Sequence, residues 1–154
     1  MKAPRTILLV EDEPDDRLLF TRAVRKAGIA EPVQSASDGE EAINYLAGSG
    51  PFAEREQFPL PDLVVLDLKL PLATGFEVLS AVRQNPDTRT MPVVILTSSQ
   101  SEADIAQAYA LGANGYLVKP SSPENLLNLV AALKDFWLTY NQFPMRGLPA
   151  DGAR

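Results

Sequence analysis

One stretch of the chain decides the fold: Pro61-Asp62-Leu63-Val64-Val65-Leu66-Asp67-Leu68-Lys69-Leu70-Pro71. An apolar run from Leu63 to Leu66 follows a proline and ends at one carboxylate, Asp67. Such a short apolar run is typical of a strand that is buried on both faces of a parallel sheet. Because ligands of open parallel sheets bind outside the carboxyl ends of the strands, Asp67 lies where chemistry is expected. We predict that Asp67 is a nucleophile that accepts a phosphoryl group.

Four further segments have the form of short strands. They are predicted at Arg5–Val10, Pro32–Ala36, Pro92–Thr97 and Asn114–Val118. Each of the five strands is followed by a segment with helical spacing or a helix start signal, such as Ser122 before Pro123. Five βα units in succession predict an α/β fold, with helices on both faces of an open, doubly wound parallel sheet.

Two segments between the strands carry more specific predictions. In the first helix, which starts at Pro14, the apolar residues at helical spacing, and so the predicted apolar face, are Leu18, Leu19, Ala23 and Val24. Residues 48–61 form a predicted loop, which is longer than the ~2–6 residues usual for such connections. The loop either carries function or only tolerates an insertion.

The composition excludes several classes of function. The chain of 154 residues has no cysteine and no histidine, so disulfides, Cys/His zinc sites and His-dependent triads are impossible. Its net charge of −6 argues against direct nucleic-acid binding. No apolar run reaches the ~18 residues of a membrane span, and the apolar part of the start is too short for a secretory signal. We expect a cytoplasmic protein with one domain at residues 1–140, no membrane contact and an irregular tail at residues 141–154.

Polar groups follow four of the predicted strands. Glu11 and Asp12 follow the first strand, Asp67 the third, Thr97 the fourth and Lys119 the fifth. Each of them alone could be an ordinary solvated strand end. Together they offer oxygen ligands for a hard cation such as Mg2+ and donors for the charge on a transferring phosphoryl group.

These motifs resemble the receiver domain of two-component response regulators. The resemblance is carried by Glu11-Asp12 in Leu-Leu-Val-Glu-Asp-Glu, Asp67 in Val-Val-Leu-Asp-Leu-Lys-Leu-Pro, Thr97 in Val-Val-Ile-Leu-Thr-Ser, Tyr116 in Gly-Ala-Asn-Gly-Tyr-Leu-Val, and Lys119-Pro120. It extends from residue 5 to about residue 138 and implies a flavodoxin-like sheet with the strand order 2-1-3-4-5.

The resemblance also implies a phosphoacceptor and its metal ligands. Asp67 would accept the phosphoryl group, and Mg2+ would be bound by Asp12, by Asp67 and by the backbone carbonyl of Lys69. Glu11 would hold water molecules on the metal. Such a domain catalyses only its own phosphorylation and dephosphorylation.

Three further residues acquire roles through the same resemblance. Lys119 would pair with the phosphoryl group, Thr97 would move to hydrogen-bond to it, and Tyr116 would turn inward behind Thr97. Because this chain has no histidine, the phosphoryl group would come from the phosphohistidine of a separate kinase.

The C-terminal segment contains the predicted interface. Apolar residues recur there at helical spacing, and those assigned to an interface are Leu133, Phe136, Trp137, Tyr140 and Phe143. Either this stripe packs on its own sheet and the tail folds back, or the aromatic end is exposed and binds a partner. The long loop, the aromatic ending and the short tail resemble stand-alone regulators paired with phytochrome-type histidine kinases, which implies a homodimer through the C-terminus.

Three functions are therefore considered. The main hypothesis is a phosphorylation-activated switch whose output is the C-terminal face. The second is an adaptor or dimerisation module that does not depend on phosphorylation. The third is a phosphatase with an aspartyl-phosphate intermediate, which normally needs a second Asp two residues after the nucleophile, where this chain has Lys69.

Overall fold

The computed structural model describes residues 5–145, which form five βα units. The strands are β1 (Ile7–Val10), β2 (Val33–Ala36), β3 (Leu63–Leu66), β4 (Val93–Thr97) and β5 (Gly115–Val118). The helices are α1 (Pro14–Lys26), α2 (Gly39–Ala47), α3 (Gly75–Gln84), α4 (Glu102–Ala110) and α5 (Pro123–Leu133). A 3-10 helix covers Gly50–Ala53, and a π-helical segment, Lys134–Tyr140, continues α5.

All strands are parallel, and their order in the sheet is β2-β1-β3-β4-β5. The predicted α/β fold and the strand order implied by the resemblance are confirmed. Val10 is in register with both Ala36 and Leu66, so the carboxyl ends of the strands meet at one edge of the sheet. We call this edge, which carries Glu11, Asp12, Asp67, Thr97 and Lys119, the site edge. Within residues 5–145, no helix has the length and apolar character needed to cross a membrane.

The strands contribute to two cores because successive side chains of a strand point to opposite faces of the sheet. One core lies under α2, α3 and α4 and contains, from the sheet, Leu8, Val10, Val64, Leu66, Val93 and Ile95. The other lies under α1 and α5 and contains Ile7, Leu9, Leu63, Val65, Val94 and Leu96. Burial on both faces explains why the central strands are continuous apolar runs.

The face of helix α1 that packs against the sheet differs from the prediction. Ala23 and Val24 are buried as predicted, but Leu18 is 50% exposed and Leu19 is 36% exposed. Phe20, which is 4% exposed, takes the place predicted for them. Phe20, Ala23 and Val24 have the i, i+3, i+4 spacing of one helix face, and this face buries an aromatic ring. The prediction for Leu18 and Leu19 is therefore wrong.

Residues 48–61 pack as an ordered unit. Phe52 and Phe58 contact the buried Tyr45, with ring centroids 5.1 Å and 6.0 Å away from that of Tyr45. The Arg55 guanidinium donates hydrogen bonds to the carbonyls of Tyr45 and Phe58, at 2.8 Å and 3.1 Å. It also donates to the carbonyl of Leu46 at 3.0 Å, so it binds orphan carbonyls at the end of α2. This segment has its own packing and is not a loose insertion.

Candidate functional site

Hydrogen bonds of the sheet continue past the strands and fix the backbone of the site edge. The Asp67 N–H donates to the Val10 carbonyl at 3.0 Å, and the Lys119 N–H donates to the Thr97 carbonyl at 2.8 Å. Both residues therefore hold strand-like positions one residue beyond β3 and β5. Their side chains are placed by the sheet itself.

Helix α3 begins directly against the backbone of Asp67. The Gly75 N–H donates to the Leu68 carbonyl at 2.9 Å. A Cβ atom at Gly75 would overlap the carbonyl oxygen of Asp67 and the Cα of Leu68. Any side chain at position 75 would therefore force the two backbone segments apart, which favours glycine.

Three carboxylates gather at the site edge. One oxygen each of Glu11, Asp12 and Asp67 lies within 4.8 Å of the others. Glu11 is only 3% exposed and Asp67 is 6% exposed. Carboxylates this close and this buried repel one another unless cations join them. Their oxygens suit a hard divalent cation, so the donor set fits the metal that the sequence analysis predicts.

The Lys119 ammonium joins three carboxylates. Its Nζ lies 2.6 Å from Glu11 Oε1, 2.8 Å from Asp67 Oδ2 and 2.9 Å from Asp16 Oδ2. An ammonium has three N–H donors, so each of them has a charged acceptor. The sequence analysis missed Asp16. The available signal was its position as an acidic residue in the first turn of α1, next to the site edge.

The buried charges shift two pKa values in the same region. Burial raises the pKa of the Glu11 carboxyl to about 7, against the hydrogen bond from Lys119, which lowers it. Burial alone would lower the pKa of Lys119, but its hydrogen bonds to Asp67, Glu11 and Asp16 raise that pKa above its ordinary value. Lys119 is therefore a permanent cation, whereas Glu11 is balanced between its two protonation states near neutral pH.

Arg17 holds the turn between β1 and α1, a role that the sequence did not reveal. Its Nη1 donates to the carbonyls of Glu11 and Asp12, at 2.8 Å and 3.0 Å. The Glu13 N–H donates to Glu11 Oε2 at 3.2 Å. These bonds fix the backbone from which the first two carboxylates project.

The two predicted switch residues meet at Ser99. Thr97 is fully buried at the end of β4, and its Oγ1 accepts a hydrogen bond from the Ser99 N–H at 3.4 Å. The half-buried Tyr116 donates its hydroxyl hydrogen to the Ser99 carbonyl at 3.0 Å. A movement of Thr97 would therefore act on the same backbone that holds Tyr116.

Lys69 forms no ion pair with the carboxylates of the site edge. Its side chain is exposed, and its backbone N–H donates to Asp67 Oδ1 at 3.3 Å. The predicted metal contact of its carbonyl stays a prediction. The exposed ammonium is not placed to replace the acid/base Asp that a phosphatase would need here.

The predicted interface residues differ widely in exposure. Leu133 is 8% exposed and belongs to the core under α1 and α5. Trp137 and Phe143 are half-buried against that core, and the Arg5 guanidinium lies 4.6 Å from the ring centroid of Phe143. Phe136 is 58% exposed and Tyr140 is 77% exposed. The stripe is therefore part core and part exposed surface, and the predicted interface stays a prediction. Residues 146–154 of the predicted tail lie outside the described residues.

Comparison with known proteins identifies the family. The model of the response regulator receiver domain matches residues 7–131. The chain belongs to the receiver-domain family of response regulators. The five-stranded parallel sheet described above is thus the sheet of a receiver domain.

Three relatives cover nearly all of this receiver domain. The response regulator Rcp1 of Synechocystis is 38% identical over 135 residues, which are 88% of this chain and 90% of Rcp1. The probable methanogenesis regulatory protein FilR2 of Methanothrix harundinacea is 39% identical over 141 residues, 92% of this chain and 88% of FilR2. The phosphorylated cyanobacterial phytochrome response regulator RcpA is 35% identical, with a TM-score of 0.86 over 93% of this chain and 100% of RcpA.

Proposed function

We propose that this receiver domain is a phosphorylation-activated signalling switch, in which Asp67 accepts a phosphoryl group from a separate histidine kinase in a Mg2+-dependent reaction. The observation that carries the proposal is the composition of the site edge. Asp67 lies in a group of three carboxylate oxygens within 4.8 Å of one another, and Lys119 is bonded to it at 2.8 Å. A nucleophile, a cation-binding group and a fixed positive charge are thus adjacent.

Each of these groups has a role in phosphoryl transfer. Asp67 attacks phosphorus, so that an O–P bond forms while the P–N bond of the kinase's phosphohistidine breaks and the imidazole leaves with the electron pair. Lys119 stabilises the negative charge on the phosphoryl oxygens. Glu11, Asp12 and Asp67 would hold Mg2+, which as a Lewis acid neutralises charge on the transferring group.

The relatives support a light-sensing kinase as the partner. RcpA is a phytochrome response regulator, and the bacteriophytochrome response regulator AtBRR is 40% identical over 92% of this chain. We propose a phytochrome-type histidine kinase in the cytoplasm as the phosphodonor. Mg2+ is proposed because the three carboxylates offer oxygen ligands, and Rcp1 itself has been crystallised with Mn2+ bound.

Labelling with a small phosphodonor tests this function. Wild type incubated with radiolabelled acetyl phosphate and Mg2+ should gain label that EDTA prevents, and Asp67→Asn should gain none. Asp87→Asn is the matched control, because it removes one carboxylate from an exposed position. Label that persists in Asp67→Asn would contradict the site, and absence of label in wild type would contradict the function.

The output is proposed to be a homodimer through the C-terminal segment. Phe136 and Tyr140 are large, exposed aromatic residues on consecutive turns, and such rings are enriched in interfaces. Light scattering of Phe136→Ser and Tyr140→Ser should show loss of the dimer, whereas Leu72→Ser, which removes an exposed side chain elsewhere, should keep it.

The same experiment separates the switch from the adaptor. The measurement is repeated with Mg2+ and beryllofluoride, which mimics the phosphoryl group on Asp67. A dimer whose stability changes with beryllofluoride supports the switch. A dimer that is insensitive to beryllofluoride and to Asp67→Asn, but is lost in the aromatic variants, supports the phosphorylation-independent adaptor.

A further inference from the structure

Asp16 is the carboxylate at Lys119 that lies outside the metal-binding group. Its Oδ2 is 2.9 Å from Lys119 Nζ, and it reaches Lys119 from helix α1. Its side chain is 40% exposed, compared with 4% for Glu11 and 7% for Asp67. The carboxylates that could hold a metal are Glu11, Asp12 and Asp67, without Asp16.

Lys119 and a divalent cation therefore need the same two carboxylates. Both buried acceptors of Lys119, Glu11 and Asp67, belong to the group that could bind a metal. An ammonium and a divalent cation repel each other, so both cannot keep full contact with the same two carboxylates. The Lys119 side chain is only 18% exposed, and an ammonium buried without an acceptor is costly.

We infer that Asp16 is a positioning residue that holds the Lys119 ammonium when a divalent cation takes the oxygens of Glu11 and Asp67. The inference rests on the proposed function. Asp16 supplies the negative charge that the displaced Lys119 ammonium needs. Lys119 can then release its hydrogen bonds to Glu11 and Asp67 with little loss of free energy, and it stays beside the phosphoacceptor. Without Asp16, Lys119 keeps competing for Glu11 and Asp67, and the site binds metal less tightly.

Mn2+ binding measures this competition directly. The electron paramagnetic resonance signal of free Mn2+ gives the dissociation constant without any turnover. Asp16→Asn should bind Mn2+ about threefold to fivefold more weakly than wild type, as expected for loss of a partly exposed ion pair. Asp15→Asn is the matched control, because Asp15 is the exposed neighbour in the same helical turn and makes no ion pair within residues 5–145. Its affinity should change by less than about twofold.

A double-mutant cycle tests whether Asp16 acts through Lys119. In a Lys119→Met background, Asp16→Asn should affect Mn2+ binding no more than Asp15→Asn does, because the competing ammonium is gone. Asp16→Glu in the wild-type background should restore most of the affinity. If Lys119→Met unfolds at the assay temperature, the Mn2+ affinity of Asp16→Glu still tests the inference.

Several results would overturn the inference. These are an equal loss of Mn2+ affinity in Asp16→Asn and Asp15→Asn, an undiminished loss on adding Asp16→Asn to Lys119→Met, or no recovery of affinity in Asp16→Glu.

Labelling gives a second readout: Asp16→Asn should need more Mg2+ for half-maximal rate but reach the wild-type maximum. If wild type neither binds Mn2+ nor is labelled, the proposed function fails together with the inference. If it does both and the cycle shows no coupling, only the inference fails.

Discussion

The site edge and the C-terminal aromatic segment (Phe136, Trp137, Tyr140 and Phe143) differ in how their functional side chains are held. At the site edge, Glu11 and Asp67 are nearly fully buried, and one lysine joins them at distances below 3 Å. In the aromatic segment, exposure varies strongly, and Tyr140 is 77% exposed. The first region is held by contacts among the described residues, whereas the second exposes large aromatic side chains of the kind that occur in interfaces. We therefore expect substitutions at the site edge to affect folding and chemistry together, and those in the aromatic segment to affect association.

Loss of Lys119 should have the largest effect on stability. Lys119→Met leaves two buried carboxylates without their cation, which should lower the free energy of unfolding by about 4 kcal/mol in EDTA. Mg2+ should restore more stability to this variant than to wild type, because it replaces the lost charge. Urea unfolding with and without Mg2+ measures both effects. Lys26→Met, at an exposed helix end, is the control, and an equal loss in the two variants would show that the site edge is not held by its ion pairs.

Two residues of the C-terminal apolar stripe should differ strongly in their contribution to the free energy of unfolding. Leu133→Ala creates a cavity in the core and should cost about 3 kcal/mol. Tyr140→Ala should change the free energy of unfolding of the monomer by less than about 0.5 kcal/mol, because its side chain is exposed. Urea unfolding at low protein concentration compares them. A comparable cost for Tyr140→Ala would mean that the aromatic segment is part of the monomer's own packing.

A pair of glycines tests how tightly the site edge is built. Gly75→Ala forces a methyl group against the carbonyl of Asp67 and should cost about 2 kcal/mol through overpacking. In Gly115→Ala, the nearest atom to the new methyl group is Val94 Cγ1 at 3.8 Å, an ordinary contact, so stability should hardly change. Thermal unfolding of both variants gives the comparison. A stable Gly75→Ala would indicate that α3 can move away from Asp67.

The smallest predicted effect is on the pH dependence of stability. The pKa of Glu11 rises from 4.5 to about 7 on folding, so the folded state binds more protons than the unfolded state between these values. Stability must then fall as the pH rises, by about 1 kcal/mol from pH 6 to pH 8 in EDTA. No histidine or cysteine titrates in this window, since the chain contains neither. Urea unfolding at the two pH values should show the fall in wild type and not in Glu11→Gln. A fall of equal size in Glu11→Gln would assign it to another group.

The sequence predicted the site edge well because topology alone brings strand ends together. In a parallel sheet with the order β2-β1-β3-β4-β5, the residues at the carboxyl ends of β1, β3, β4 and β5 have to share one edge. No side-chain detail is needed to predict that Glu11, Asp67, Thr97 and Lys119 lie on the same edge of the sheet. The ordered set of motifs then predicted the receiver-domain family, which the family model confirms.

The two errors in α1 have one physical cause, which is the rotation of the helix about its axis. The apolar sequence allows Leu18 and Leu19 or Phe20 to face the sheet, and the structure buries Phe20. Asp16 precedes Phe20 by one turn, so it lies on that same face, where it reaches over the site edge to Lys119. A prediction that places Phe20 on the sheet side of α1 also places Asp16 on that side, near the site edge.

The aromatic segment shows what spacing alone does not decide. Leu133, Phe136, Trp137 and Tyr140 have helical spacing, yet their exposure ranges from buried to largely exposed. A stripe in the sequence marks a helix face but not how far the neighbouring core extends. Here the core under α1 and α5 reaches Leu133 and Trp137 but leaves Phe136 and Tyr140 outside.

The central prediction is that Asp67, and no other carboxylate of the site edge, accepts the phosphoryl group. Borohydride reduction converts an aspartyl phosphate into homoserine, which peptide mass spectrometry locates in the chain. After phosphotransfer from a phytochrome-type histidine kinase with Mg2+, we expect homoserine at position 67 and unmodified aspartate at Asp12 and Asp16. Homoserine at Asp12 or Asp16, or unmodified aspartate at all three positions, would contradict the claim.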